Sequence, residues 1–172
     1  MDEGVEDLSL GRLLDEVGAR TTAPGGGSVA GVVAALAGAL AGMCARFSDS
    51  DQGDLALRAD ELRARAASLA QSDVVVYTAW VRAGRDGETG AAHDEIIRIP
   101  LDVAEVAAEL AELAGGLARS GNPNLRGDAI VAVLIGSAAA RAGAVLVCEN
   151  LHEASSDPRR ARAAAVVLAI RA

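Results

Sequence analysis

The sequence predicts an all-α protein: an antiparallel helical bundle of five to six helices forming a single domain over residues 1–172. Three observations predict it. Apolar residues make up 51% of the chain but aromatic residues only 2%, with one Trp, one Tyr and one Phe. Alanine, the best helix former, is the commonest residue, and its small side chain lets helices approach closely. Apolar positions recur at helical spacings, and the Tyr, Phe, Thr and Ile that a β-sandwich or barrel would use are scarce.

The first helix is expected over about Leu8 to Ala19, with Leu10, Leu13, Leu14 and Val17 on one side. The run Thr21-Thr22-Ala23-Pro24-Gly25-Gly26-Gly27-Ser28 breaks it. A second helix, about Ser28 to Phe47, is apolar almost all round, and no charge occurs from Gly25 to Ala45. Length alone would permit a membrane span. Its Ala/Gly composition and the lack of an aromatic belt or basic flank favour a helix buried inside a bundle or dimer, with no membrane partner.

The third helix, about Asp54 to Val81, places Leu55, Leu62, Leu69 and Val76 seven apart, with Ala59, Ala66, Asp73 and Trp80 as a companion row. Such spacing is the seam of an antiparallel bundle. After a polar turn from Gly84 to Gly90, a fourth helix is expected over about Ala91 to Arg119, kinked at Pro100. Val103, Val106, Leu110, Leu113 and Leu117 form its apolar stripe, and Glu105, Glu109 and Glu112 form a solvated face. Beyond the loop Gly121-Asn122-Pro123-Asn124, a fifth helix runs from about Leu125 to Leu151. A sixth, about Asp157 to Ile170, opens on an Asp-Pro start signal.

All 16 basic residues are Arg, which excludes Schiff-base lysines, a P-loop lysine and a Ser-Lys dyad. Against 24 acidic residues the net charge is -8, a field that repels phosphate backbones and argues against a nucleic-acid partner. Cys44 and Cys148 lie far apart in apolar stretches, as free buried thiols of a reducing compartment would. With an acidic N-terminus unlike a signal peptide, they point to a cytoplasmic protein. No metal-ligand spacing joins them to His93 or His152, so no metal is expected.

Three places could carry chemistry. Gly25, Gly27 and Ala30 satisfy a G-x-G-x-x-A pattern, but no strand precedes it, so a dinucleotide site is not supported. The loop instead offers backbone N–H groups at a helix start, suited either to an anion or to close packing. Asp73 is a carboxylate in an apolar seam, where burial raises a carboxyl pKa toward the range useful for proton transfer. The alternative is an Asp hydrogen-bonded to a neighbouring helix. The loop ahead of the fifth helix, with Asn122 and Asp128, could line a ligand rim, although Asp128 equally suits the first turn of a helix. His93 and His152 sit at helix ends as capping or surface residues, and Ser28 lacks a His/Asp pair for nucleophilic catalysis.

These places occur in one order. Pro24-Gly25-Gly26-Gly27-Ser28-Val29-Ala30 opens a long Ala/Gly helix, and Asp73 is followed by Tyr77. Ile99-Pro100-Leu101 then leads to Ala104-Glu105, Gly121-Asn122 stands six residues before Asp128, and Asn150-Leu151 follows. From Leu8 to Leu151 the pattern resembles the cyclodeaminase domain of formiminotransferase-cyclodeaminase and its stand-alone relatives, the methenyltetrahydrofolate cyclohydrolases. In place of the family's usual residues stand Gln71 for an acid two before Asp73, a shorter stretch over 82–91, and Leu146-Val147 for an Asn-Val pair.

The resemblance implies a homodimer formed through helix faces and a tetrahydrofolate derivative as substrate, with no other cofactor. It implies Asp73 as the acid/base, and Pro24, Gly25, Gly26, Gly27, Ser28, Tyr77, Asn122, Asp128 and Asn150 as substrate-binding residues. The leading expectation is water addition to 5,10-methenyltetrahydrofolate, where a carboxylate stabilises the cation and takes a proton from water. That order rests on there being no room for a formiminotransferase domain. The alternatives are formiminotetrahydrofolate cyclodeamination, where the same group protonates a departing amine, and a diverged member that keeps the dimer without the activity.

Overall fold

The computed structural model describes residues 4–48, 53–86, 90–151 and 156–170. The helices are α1 (Leu10–Gly18), α2 (Gly26–Arg46), α3 (Gly53–Asp86), α4 (Gly90–Ser120), α5 (Arg126–Leu151) and α6 (Pro158–Ala169). Single 3-10 turns cover Val5–Asp7 and Pro123–Leu125, and no strand occurs among the described residues.

Four helices, α2 to α5, form an up-down ring whose registers can be read from facing residues. Gly31 of α2 lies against Ala70 of α3, and Gly38 against Arg63. Arg58 and Arg65 of α3 reach Glu109 and Asp102 of α4. Gly143 of α5 lies against Ala104 of α4, and Gly136 against Ala107 and Ala111. Leu146 of α5 beside Gly26, and the Leu125 carbonyl beside Cys44, close the ring onto α2. Each sequential pair is therefore antiparallel. The small residues are what allow it: a Cβ on Gly31 would meet the Ala70 backbone 2.9 Å away.

The expected seam of α3 is buried where it faces the ring, at Ala59, Leu62, Ala66 and Leu69. Leu55 lies at its open end and is 37% exposed. On α4 the stripe Val103, Val106, Leu110 and Leu117 is buried. The acidic face of α4 is more than a solvated surface, because Glu109 holds Arg58 of α3 and Glu105 holds Arg162 of α6. Such exposed pairs contribute about 0–1 kcal/mol each, so they set register more than stability. Asp157 caps α6 by accepting from the Arg159 N–H, with Pro158 at the first helical position.

Helix α4 carries Pro100 in its interior, as the sequence indicates, and continues past it. Proline has no N–H for the Ile96 carbonyl one turn back, and Asn150 of α5 replaces it, its Nδ2 donating to that carbonyl at 2.6 Å. Helix α1 does not join the bundle: none of its residues is buried, and Leu10 and Leu14 are 72% and 63% exposed. The apolar side read from the sequence exists, but its own chain does not cover it.

Candidate active site

Helix α2 starts without a cap of its own. Its N-cap is Gly25, which has no side chain to satisfy the first N–H groups. Asp73 of α3 supplies the missing acceptor: its Oδ2 accepts a hydrogen bond from the Ser28 hydroxyl at 2.8 Å, and the carboxyl also accepts one from the Ser28 backbone N–H. A carboxylate at a helix N-terminus further benefits from the helix dipole. Gly27 makes the approach possible, since a Cβ there would overlap the Asp73 carboxyl.

The same carboxyl faces a cleft of about 240 Å³ lined by Thr22, Gly25, Gly26, Gly27, Tyr77, Ile96, Pro100, Leu146 and Asn150. Burial pushes the Asp73 pKa up, while the two Ser28 hydrogen bonds pull against it, and the net direction is upward. A carboxyl whose protonated form is favoured beside a cleft is suited to exchange a proton with a bound group. Tyr77 stands at the mouth, its ring tilted 36° against Trp80 one turn on, with centroids 5.6 Å apart. Ile96, Pro100 and Leu146 provide an apolar wall.

Most of the sequence-derived site residues converge here: Gly25, Gly26, Gly27, Asp73, Tyr77 and Asn150 line one cleft. Ser28 does not face a ligand. It is 1% exposed and spends its hydroxyl on Asp73, so it positions the acid rather than touching substrate. Pro24 lies between the lining residues Thr22 and Gly25 without joining them, and a cis peptide bond links it to Ala23. Asn150 has a double role, because its amide is oriented by the Ile96 carbonyl while it borders the cleft.

Asn122 and Asp128 are elsewhere. The Asn122 Nδ2 donates to the Phe47 carbonyl at 2.7 Å, its Oδ1 accepts from Asn124 N–H, and its own N–H donates to Ser48 Oγ. These bonds tie the α4–α5 loop to the C-terminal end of α2. Twenty residues of helix separate that end from Gly27, roughly 30 Å at 1.5 Å per residue. Asp128 lies in the first turn of α5, near enough to Cys44 to help burial raise that thiol's pKa. The expectation that both loops line one site is therefore not met within one chain.

Thr22, Ile96, Pro100 and Leu146 were not singled out as lining residues. Thr22 could have been found from its place beside the Gly-rich run, and Pro100 from the carbonyl it must leave unpaired. Ile96 carries no signal that separates it from core residues, whereas Leu146 stands in the pair that departs from the family's Asn-Val. Both cysteines are free, Cys44 buried and Cys148 partly so. His93 lies in the first turn of α4 outside the cleft, and His152 lies outside the described residues. No group of three His, Cys, Asp or Glu is placed to hold a metal among the described residues.

Fold and cleft together define an all-α bundle with a protonatable carboxyl beneath a Gly-rich helix start. The formiminotransferase-cyclodeaminase family model matches residues 9–167 of the chain. Over 152 residues the chain is 32% identical to the formimidoyltransferase-cyclodeaminases of Rattus norvegicus and Mus musculus, an overlap of 76% of this chain. That overlap spans 28% of the length of these relatives. The crystal structure of formiminotetrahydrofolate cyclodeaminase from Thermotoga maritima superposes with a TM-score of 0.86 at 31% identity, covering 96% of this chain and 89% of that one. The chain belongs to the formiminotransferase-cyclodeaminase family.

Proposed function

We propose that the chain is a formiminotetrahydrofolate cyclodeaminase that acts as a cytoplasmic homodimer and needs no cofactor beyond its folate substrate. The observation that carries the reading is Asp73, a carboxyl with a raised pKa held at the base of a cleft by Ser28. The sequence-based order put the cyclohydrolase first. The similar proteins bearing a functional name are cyclodeaminases, which reverses that order.

In this reaction a ring-closing nitrogen of the substrate bonds to the formimino carbon, and its proton passes to the imino nitrogen, making that nitrogen an amine. The bond from that carbon to its amino nitrogen then breaks. The protonated form of Asp73, which burial favours, delivers its proton so that the nitrogen leaves as ammonia, and the carboxylate left behind faces the methenyl cation. A buried carboxylate next to that cation is electrostatically favourable in the product state, which offsets the cost of ionising Asp73. A cleft of about 240 Å³ is below the usual range of about 300–1,000 Å³ for whole-ligand pockets, so it takes the reacting end and leaves the acidic tail outside.

Dimerisation is supported by α2 and α5, which are long and apolar enough to cross a membrane yet only 56% and 39% buried in one chain. Val29 and Leu36 of α2, and Val131, Leu134 and Val145 of α5, are exposed. A second copy would cover them.

The test is ammonia release and methenyl absorbance on adding 5-formiminotetrahydrofolate to purified protein, with Asp73→Asn as control. Release by the wild type but not the variant supports the reading. No release, together with rapid loss of methenyl absorbance from 5,10-methenyltetrahydrofolate, would restore the cyclohydrolase.

A further inference from the structure

Helix α1 is hard to explain within one chain. It has nine residues, two of them glycine, and an isolated helix of that length is marginal in water. Its stability must come from packing an apolar face, and it has one: Leu10, Leu14 and Val17 share a side, with the Arg12–Glu16 pair on the other. Yet no residue of α1 is buried, and it has no substantial contact with another element among the described residues.

Both ends of α1 are tethered near the acid. Val5 is buried, and its N–H donates to Gln71 Oε1 at 2.7 Å, two residues before Asp73. The other end runs through Thr22 into Gly25 to Gly27, which line the cleft. The helix is thus an arm looped out between two anchors on either side of the catalytic carboxyl.

The α1 stripe is one uncovered apolar surface and the exposed face of α2 and α5 is another, while Phe47, Leu57, Val75 and Leu168 are exposed elsewhere. Leu10, Leu14, Val17, Val29, Leu36, Val131, Leu134 and Val145 are 37–72% exposed, and a standard-size interface, about 800 Å² per partner, is large enough to cover them. In a two-fold dimer, two different patches of one chain can cover each other reciprocally. We propose that α1 is an exchanged arm. Its Leu10–Leu14–Val17 stripe packs on the α2/α5 face of a second copy, so the Gly-rich wall of each cleft is held in place by the other chain. The inference rests on the dimer reading above and adds to it which element crosses over and what it controls.

Sedimentation equilibrium on the full chain separates the two. The wild type is expected to be a dimer and Leu36→Glu/Leu134→Glu a monomer. Leu10→Glu/Leu14→Glu is expected to weaken the dimer at least tenfold and to slow turnover. Circular dichroism should lose no more than the helicity of the nine α1 residues, because α1 contributes nothing to the core. Hydrogen exchange over residues 10–18 should show protection in the dimer that disappears on dilution to monomer. A Leu10→Glu/Leu14→Glu protein with the wild-type dissociation constant, or unprotected α1 amides in a dimer, overturns the arm and leaves the dimer standing. A monomeric wild type overturns both.

Discussion

Ser28 Oγ donates to Asp73 Oδ2 across 2.8 Å, and the bond joins the start of α2 to the middle of α3. One carboxyl thus does two jobs: it caps a helix that has no cap of its own, and it presents an acid to the cleft. The two jobs pull its pKa in opposite directions, with burial the larger influence. They can be separated by substitution.

Asp73→Asn keeps an acceptor for Ser28 but has no acidic proton. Turnover should fall by about 10²–10⁴-fold, the usual contribution of a general acid. Stability should move the other way. Asp73 binds its proton more tightly folded than unfolded, so its contribution is full at acid pH and is lost as pH rises through its folded pKa. The Asn variant stays neutral and should therefore gain on the wild type at neutral pH, with the gap closing toward acid pH. Urea titrations across that range measure it; a variant less stable than wild type at neutral pH would show the cap outweighing the cost of the buried charge.

Ser28→Ala removes a hydrogen bond that lowers the Asp73 pKa, so that pKa should rise further. If the protonated acid is the active form, activity falls as pH rises through this value. The alkaline limb of kcat against pH should therefore move to higher pH in the variant. A residue that bound substrate instead would change KM and leave the limb in place.

Gly26 and Gly27 are neighbours with opposite expectations. Alanine at Gly27 drives its methyl into the Asp73 carboxyl, and should cost about 1–3 kcal/mol of stability together with most of the activity. At Gly26 the nearest atoms are Leu146 methyls at 3.8 and 3.9 Å, so alanine fits. That variant should fold normally and raise KM by narrowing the cleft. Thermal unfolding and steady-state kinetics on the pair distinguish space made for the acid from space made for the ligand.

Asn122→Ala should destabilise the protein by about 0.5–1.5 kcal/mol, since it removes an exposed hydrogen bond to the Phe47 carbonyl that water can in part replace. KM should stay within about twofold if Asn122 only ties the loop to α2, while a large rise in KM at unchanged stability would return it to the substrate site.

How far the sequence reveals the molecule depends on what each signal measures. Helical spacing is local, so all six helices were legible, with boundaries within a few residues except at the end of α3, which continues past Val81 to Asp86. Asp73 was legible because a carboxylate in an apolar row must be either paired or functional; here it is paired with Ser28 and also faces the cleft. Periodicity cannot say which apolar face its own chain covers, and so the spacing on α1 shows a stripe without showing that it lies open. Nor can spacing say which loops meet. Asn122 and Gly27 stand at opposite ends of α2, and only the antiparallel register reveals it. The role of Asn150 was hidden for a related reason: it depends on a carbonyl 54 residues away that Pro100 leaves unpaired.

That last dependence can be tested as a pairwise coupling. Asn150→Ala leaves the Ile96 carbonyl with neither a helical donor nor a side-chain donor, and should cost about 1–3 kcal/mol. Pro100→Ala restores a backbone N–H at position 100, which the Ile96 carbonyl can accept in the ordinary helical way. In that background the Asn150 amide is no longer the sole partner of the carbonyl, so its removal should cost less than in the wild type. A double-mutant cycle by urea unfolding measures the difference, and contacting residues of this kind usually couple by about 0.5–3 kcal/mol. Additive losses would mean that Asn150 stabilises the fold by some route other than the carbonyl. Activity provides the second reading, because Asn150 also borders the cleft. If the Ile96 carbonyl aims its amide at the substrate, Pro100→Ala alone should lower kcat while leaving stability equal or improved.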